Sequence, residues 1–177
     1  MHRCVSVVLV LAGMAATICG VNVATQTTLD DRQIFAVFDE VNTADIWAAR
    51  LAVSRAHSPE VRELGHMVIA DHEAVQQMAR DLARKLHIVA APPSGDANAA
   101  SLAETVALLQ SKSGADFDRA YLAHELTFHR TAIDAVNQTL LPASRNAELK
   151  ALLTKVLPGF TRHLAETQKV ADALGVR

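Results

Sequence analysis

Hydrophobic residues recur with helical spacing along most of the chain after Asp30. The first predicted helix covers about residues 29–56, and the alanines on its apolar face would let a neighbouring helix pack closely. Ser58 followed by Pro59 is a typical helix start, and the second helix should end near His87. Because so short a break separates the two helices, they should form an antiparallel hairpin.

The rest of the chain predicts a second pair of long helices. A loop at residues 88–98, rich in Pro and Gly, is followed by a short helix over about residues 99–112. The third long helix should cover residues 116–140, and the fourth should end at Leu174. Pro158 lies inside this fourth helix and is predicted to kink it or to separate its first half. Two hairpins joined by a long connection predict an all-α, ferritin-like four-helix bundle, with a long crossover carrying the short extra helix between helices two and three.

Each long helix carries one residue of a metal-ligand type within its apolar stripe. These residues are Asp45, His72, His129 and His163. A charged or imidazole side chain in a core costs free energy unless a partner satisfies it, so four at similar depth predict a polar layer inside the bundle. From the helical rise, Asp45 and His72 are offset by about 5 Å, and His129 and His163 by about 7 Å if the second hairpin turns between Leu141 and Asn146. Glu125, one turn before His129, would close that gap and joins the predicted layer.

The imidazoles and carboxylates of this layer suit a transition metal such as Zn, Fe or Cu(II) better than Ca or Mg. Asp71, Tyr121 and Glu166 flank the stripes and are candidates to orient the ligands. A metal-free layer, in which Asp45 pairs with His72 across the hairpin, would satisfy the same groups.

The leading hypothesis is therefore an exported bundle protein that binds a transition metal in its core. The alternative is a metal-free envelope or stress-related interaction module with a buried Asp/His hydrogen-bond network. An oxidase or hydrolase of the ferritin-like class would also need an open coordination position and an access channel, which no sequence feature indicates. Enzyme status and catalytic residues are thus left undetermined.

Other polar residues are predicted to lie outside the layer. Glu63 and His66 have the Glu-x-x-His spacing of di-iron bundles, but they point away from the apolar stripe of their helix. His124 is likewise predicted to point outward. Trp47, opposite Asp45, is either an isolated exposed aromatic residue or part of a partner-facing patch.

The N-terminus has the features of a signal peptide, assigned to residues 1–24, with the bundle domain at residues 25–177. The apolar run at residues 5–18 has the length of a signal-peptide core and is short for a membrane span of ~20 residues, although an uncleaved anchor is the alternative. A lipid anchor at Cys19 is disfavoured because Ile18 precedes it where a small residue is needed. We expect an exported protein (periplasmic, envelope-associated or secreted) whose mature chain has no stable membrane span.

Composition and charge narrow the function classes. The formal charge is −2, and no basic cluster indicates nucleic-acid binding. The two cysteines, Cys4 and Cys19, both fall in the leader, so the mature domain is predicted to lack disulfides and thiolate chemistry. Protein partners are not indicated by any motif.

Four short runs along the chain are specific in their order. They are residues 42–45 (Asn-Thr-Ala-Asp), 67–72 (Met-Val-Ile-Ala-Asp-His), 114–121 (Gly-Ala-Asp-Phe-Asp-Arg-Ala-Tyr) and 157–164 (Leu-Pro-Gly-Phe-Thr-Arg-His-Leu). Together they resemble an exported bacterial ferritin-like domain of unknown function, often labelled a predicted outer-membrane protein. The resemblance covers about residues 30–174 and implies a four-helix ferritin-like fold, and a metal site only by analogy. Asp45 stands where that family usually has Glu, which disfavours bridging coordination but leaves single-oxygen ligation open.

Overall fold

The computed structural model describes residues 29–176, and within that range the chain is helical, with no strands. In chain order the helices are α1 (Asp31–Arg55), α2 (Pro59–Lys85), α3 (Asn98–Gln110), α4 (Gly114–Ala135), α5 (Leu141–Ala143) and α6 (Ala147–Ala173), with a π-helical turn, Val136–Leu140, between α4 and α5. The predicted all-α helical bundle is confirmed. The predicted signal peptide lies outside the described residues. Within them, no helix is long and apolar enough to cross a membrane.

Side-chain caps fix the starts of three long helices. Asp30 and Gln33 form a reciprocal capping box at the start of α1. The Ser58 side chain accepts backbone N–H groups at the start of α2, and the Asn146 side chain does the same for α6. These local signals explain why the two hairpin turns are short.

Contacts at the two ends of the bundle define the direction of each helix. At one end, the Asp31 carboxylate accepts the backbone N–H of Asn146 at 3.0 Å, which joins the start of α1 to the α5–α6 turn. At the other end, the Asp118 carboxylate accepts the backbone N–H of Ser58 at 2.8 Å, which joins the start of α4 to the α1–α2 turn. Helices α2 and α4 therefore begin at the same end. Helix α3 lies in the connection between them and packs against α1 and α4.

Helices α1 and α2 pack closely because small residues line their contact. Ala48, Ala49 and Ala52 are fully buried. A Cβ atom added to Gly65 of α2 would lie 3.0 Å from the backbone oxygen of Ala49, closer than ordinary van der Waals contact. The prediction that the alanines of helix one permit a close approach is confirmed.

The core consists of two apolar clusters with a polar layer between them. One cluster includes Val61 and Phe117, near the α1–α2 turn. The other includes Ile34 and Leu153, near the α5–α6 turn. Between the two lie the buried polar residues Asn42, Asp45, His72, Glu125, His129 and His163. The predicted polar layer thus divides the apolar core in two.

The second hairpin differs from the prediction at its turn, and Pro158 does not interrupt its last helix. The chain stays helical past Leu140, through the π-helical turn and α5, because Pro142 falls in the first turn of α5, where its missing N–H costs little. Helix α6 also continues through Pro158, so of the two alternatives left open for this residue, a kink or a break, the break does not occur. Pro158 and Thr154, whose carbonyl loses its helical donor, both lie on the exposed face, where water can hydrate that carbonyl.

Candidate metal centre

All five residues predicted for the polar layer are buried and meet at one level of the bundle. Each is at most 1% exposed. Helix α1 contributes Asp45, α2 contributes His72, α4 contributes Glu125 and His129, and α6 contributes His163. Two overlapping sets of these side chains lie close enough to hold an ion, namely His72 with His129 and His163, and Asp45 with Glu125 and His129.

The three imidazoles form the tightest part of this layer. His163 Nδ1 lies 3.2 Å from His72 Nε2 and 3.2 Å from His129 Nε2. The offset of about 7 Å predicted between His129 and His163 is therefore wrong. The chain stays helical to Ala143 and resumes at Ala147, so His129 lies 14 residues before the turn (143 − 129) and His163 lies 16 after it (163 − 147), which places the two histidines at nearly equal distances from the turn.

The tautomer of His72 follows from a buried asparagine. The Asn42 side-chain N–H group donates to the Phe38 carbonyl at 2.6 Å, so its Oδ1 faces His72 Nδ1 at 3.0 Å. An amide oxygen only accepts hydrogen bonds, so His72 Nδ1 must carry the proton. In the neutral ring, His72 Nε2 then presents a lone pair to the other imidazoles.

The other two histidines are fixed in the same way. His129 Nδ1 donates to the Glu125 backbone carbonyl at 3.1 Å, which leaves a lone pair on Nε2. His163 Nε2 donates to Asp71 Oδ2 at 2.8 Å, which leaves a lone pair on Nδ1. When all three rings are neutral, they direct a lone pair toward one another, and no N–H group lies between them.

The buried carboxylates adjoin this cluster without satisfying it. Asp45 Oδ2 lies 3.0 Å from His72 Nε2 and 3.5 Å from His129 Nε2, and Glu125 Oε2 lies 3.5 Å from His129 Nδ1. Several buried side-chain oxygens have no aligned hydrogen-bond partner among the described residues, namely those of Asp45, Tyr121, Glu125 and Thr167. Such groups cost free energy unless an ion, a proton or water satisfies them.

Burial sets the protonation of the layer. Burial lowers the pKa of His129 to about 4, although the charge of the adjacent Asp45 acts to raise it. Burial also lowers the pKa of His163. It raises the pKa of Glu125 well above its usual value, and the adjacent Asp45 charge adds to this effect. Burial alone would raise the pKa of Asp45, but the nearby His72 outweighs it, so the pKa of Asp45 falls below its usual range. At neutral pH, His129 and His163 are therefore neutral, Asp45 is ionised and Glu125 keeps its proton.

Aromatic rings enclose the cluster on one side and a surface carboxylate adjoins it on another. Phe160 stacks on His72 with ring centroids 5.3 Å apart, and Phe128 meets the edge of His129 at 5.5 Å. Asp71, which holds His163, is half-exposed and also pairs with Arg162. Asp71 therefore connects the buried imidazoles to the surface, in the orienting position predicted for it.

The polar and aromatic residues predicted to lie outside or beside the layer are only partly where the sequence placed them. Glu63 and His66 are exposed, as predicted. His124 was predicted to point outward but is half-buried and lines a cavity, because α3 covers that side of α4. Glu166 does not reach the imidazoles and lies 3.6 Å from Lys169 instead. Trp47 is 49% exposed, with the Arg50 guanidinium 5.7 Å above its ring.

Two residues of the layer were not singled out from the sequence. Asn42 fixes the His72 ring and lies three residues before Asp45 on the same helix face. Thr167 lies one helical turn after His163 on α6, and its hydroxyl is buried without a hydrogen-bond partner among the described residues. A polar residue one helical turn from a buried acid or histidine is a sequence signal that could have indicated both.

Comparison with known proteins assigns the family and supports the fold. The family model described as Domain of unknown function (DUF4142) matches residues 20–170, so the chain belongs to this family. A comparison with curated proteins finds no match. The solved structure of CopM in the Cu(II)-bound form aligns with a TM-score of 0.62 and 15% identity, covering 82% of this chain and 98% of the CopM chain. At this identity the likeness shows a shared fold and nothing more.

The metal-free protein should be most stable near pH 6.5. Below that pH the unfolded chain protonates His129 and His163 before the folded protein does, so unfolding becomes easier as the pH falls from 6.5 toward 4. Above that pH the folded protein still holds the Glu125 proton, which the unfolded chain has released, so stability also falls as the pH rises. His129 alone accounts for about 3 kcal/mol of the loss on the acidic side.

Urea unfolding of chelator-treated protein between pH 4 and pH 8 measures this profile. Glu125→Gln, which imitates the protonated carboxyl, should remove the loss above pH 6.5 and keep the loss below it. Stability that rises steadily on acidification from pH 6.5 would contradict the assigned protonation states.

Proposed function

We propose that this member of the DUF4142 family binds one transition-metal ion through His72 Nε2, His129 Nε2 and His163 Nδ1. The observation that supports the proposal is the convergence of three ring nitrogens, with His163 Nδ1 3.2 Å from each of the other two and each ring held by a partner on its other nitrogen. Two nitrogens bound to one tetrahedral ion at 2.0–2.1 Å lie about 3.3 Å apart, close to these separations. A cation at this position would bind the three ring nitrogens, whose lone pairs otherwise repel one another.

The carboxylates complete the proposed centre in different ways. Asp45 lies beside His72 and His129 and offers one ionised oxygen, either as a further ligand or as the acceptor for a water that fills the open position. Glu125 is accessory, since burial keeps it protonated while no cation is present. With Asp45 ionised, a divalent ion would carry less net charge into the core.

The donor set favours Cu(II), Zn or Fe. Imidazole nitrogens suit all three metals, and the paucity of carboxylates argues against Ca or Mg. The structural similarity to CopM, which was solved in a Cu(II)-bound form, makes copper the first metal to test.

A second candidate function is the metal-free interaction module. It is favoured by the 3.0 Å distance between His72 Nε2 and Asp45 Oδ2, since a doubly protonated His72 could serve both Asn42 and Asp45. A second proton on His72 would not supply a hydrogen to the contact between His129 Nε2 and His163 Nδ1. Because burial lowers the pKa of His129 and of His163, neither ring readily takes up a second proton of its own. A bound cation satisfies every nitrogen of the cluster, so it accounts for more of the geometry.

The proposal includes the architecture and the location. We propose a ferritin-like arrangement in which α3 belongs to a long crossover, supported by the common end at which α2 and α4 begin. Export to the periplasm, the envelope or the medium is proposed from residues 1–24 alone, and association with the envelope is one of these alternatives.

Metal titration tests the central proposal. Metal-stripped protein is mixed with excess Cu(II), Zn(II) or Fe(II), dialysed and assayed by elemental analysis, with thermal unfolding followed in parallel. We expect one ion per chain for at least one metal, and a gain of about 2.7 kcal/mol in unfolding free energy at a hundredfold excess over Kd.

The matched variants are His163→Ala and His66→Ala. His163→Ala should abolish retention of the ion, whereas His66→Ala, an exposed position on α2, should leave it unchanged. Retention of no metal by the unaltered protein, or equal losses in the two variants, would refute the proposed centre.

Asp71 should act as a positioning residue for His163. Removing a carboxylate that orients a ligating histidine lowers metal affinity by about 10–100-fold, so Asp71→Ala should raise the Kd by that factor. Glu73→Ala, which removes an exposed carboxylate paired with Arg50 on the same helix, serves as the control. Competition with a chromophoric chelator gives both constants. An Asp71→Ala variant with the Kd of the control would exclude this role.

A further inference from the structure

A second concave feature lies between α1, α3 and α4, on the far side of Phe160 from His72. It is a cavity of about 110 Å³. Its lining is mostly apolar and includes Val41 of α1, Leu102 of α3, and Phe128 and Ala135 of α4. An apolar cavity of this kind is poorly hydrated, and filling it recovers the contacts that its walls lack.

The wall formed by α3 is the least firmly held part of the cavity. The N-cap residue of α3, Ala97, has no side chain that can cap the helix, and the Asp96 carboxylate accepts only the backbone N–H of Asn98, at 3.0 Å. The first turn is tied to α1 by a hydrogen bond from Asn98 to Glu40 at 3.0 Å. Leu109, near the other end of α3, is the residue of this helix that is fully buried. The start of α3 can therefore move away from α1 with little loss of buried contact, which gives a small molecule a way in.

One imidazole lines the cavity. His124 is half-buried, with its ring 5.6 Å from that of Phe128. The other polar side chains of the lining are Glu40 and Asn98, which are hydrogen-bonded to each other, and the hydroxyl-bearing Ser101, Thr105 and Thr131. His124 therefore offers a ring nitrogen that can hydrogen-bond a ligand inside a mostly apolar chamber.

We propose that this cavity binds a small neutral aromatic molecule of the phenol class, with the ring among the apolar side chains and the hydroxyl hydrogen-bonded to His124. Its size is of the order of the about 150 Å³ engineered apolar cavity in another protein that takes up benzene. A carboxylate ligand is disfavoured because Glu40 lines the same cavity. The site needs no metal and goes beyond the proposed metal centre, since Phe160 separates it from the imidazoles.

Binding of phenol and of toluene to the full-length protein tests the proposal, with and without metal. We expect saturable binding of one phenol per chain, at least tenfold tighter than toluene, by calorimetry. NMR should show contacts from the phenol ring to the methyl groups of Leu102 and Val136, both of which line the cavity. His124→Leu should bring the two affinities together.

A cavity-filling pair provides the control. Ala135→Leu should weaken phenol binding at least tenfold, whereas Ala103→Leu makes the same change at an exposed position of α3 and should leave binding unchanged. If Ala135→Leu does not fold, the NMR contacts in the unaltered protein decide the question. Absence of saturable binding, contacts to other methyl groups, or equal affinity for phenol and toluene would overturn the proposal.

Discussion

The contact between three buried imidazoles is the constraint on which the rest of the structure depends. His72, His129 and His163 lie where the two apolar clusters meet, and each is at most 1% exposed. Neutral imidazoles at 3.2 Å repel one another when their lone pairs face, so this geometry depends on firm external partners, and it is the reason why we propose a cation at the centre. The folded chain supplies the partners itself.

The hydrogen-bond partners of the imidazoles come from three helices, so the polar layer links neighbouring helices to one another. Asn42 of α1 holds a ring of α2, Asp71 of α2 holds a ring of α6, and the α4 backbone holds its own ring. The close packing of α1 on α2 at Gly65 fixes the distance over which the first of these bonds must reach. The helix directions and the hydrogen bonds of the layer are therefore mutually dependent, and a shift in one helix would misalign more than one ring.

Helical periodicity within each segment predicts which face of a helix carries the polar residues. It does not predict the relative positions of these residues along the bundle axis. The positions of Asp45, His72, His129 and His163 on the inner faces follow from helical spacing within each segment. The relative height of His129 and His163 depends on a π-helical turn and on where the hairpin reverses, which helical rise alone does not give. Family membership could likewise be anticipated from short runs of residues. The roles of the metal and of the leader stay predictions.

The features that the sequence did not predict are those that depend on contacts between helices or on exposure in the folded bundle. His124 faces away from the main stripe of α4, and it becomes half-buried because α3 covers that side. Asn42 resembles any polar residue near a helix stripe until its amide is seen between Phe38 and His72. The sequence left open whether Pro158 kinks or breaks α6, and its exposed position lets water replace the lost hydrogen bond while the helix continues. Each of these outcomes depends on tertiary neighbours rather than on the local sequence.

The protonation sites of the three imidazoles test the account most directly. Long-range proton–nitrogen NMR of the metal-free protein at neutral pH reports which ring nitrogen carries the hydrogen in each histidine. The account predicts a proton on Nδ1 of His72 and of His129 and on Nε2 of His163, with the three facing nitrogens unprotonated. A proton on His129 Nε2 or on His163 Nδ1 would contradict it, because that hydrogen would satisfy the contact without any metal.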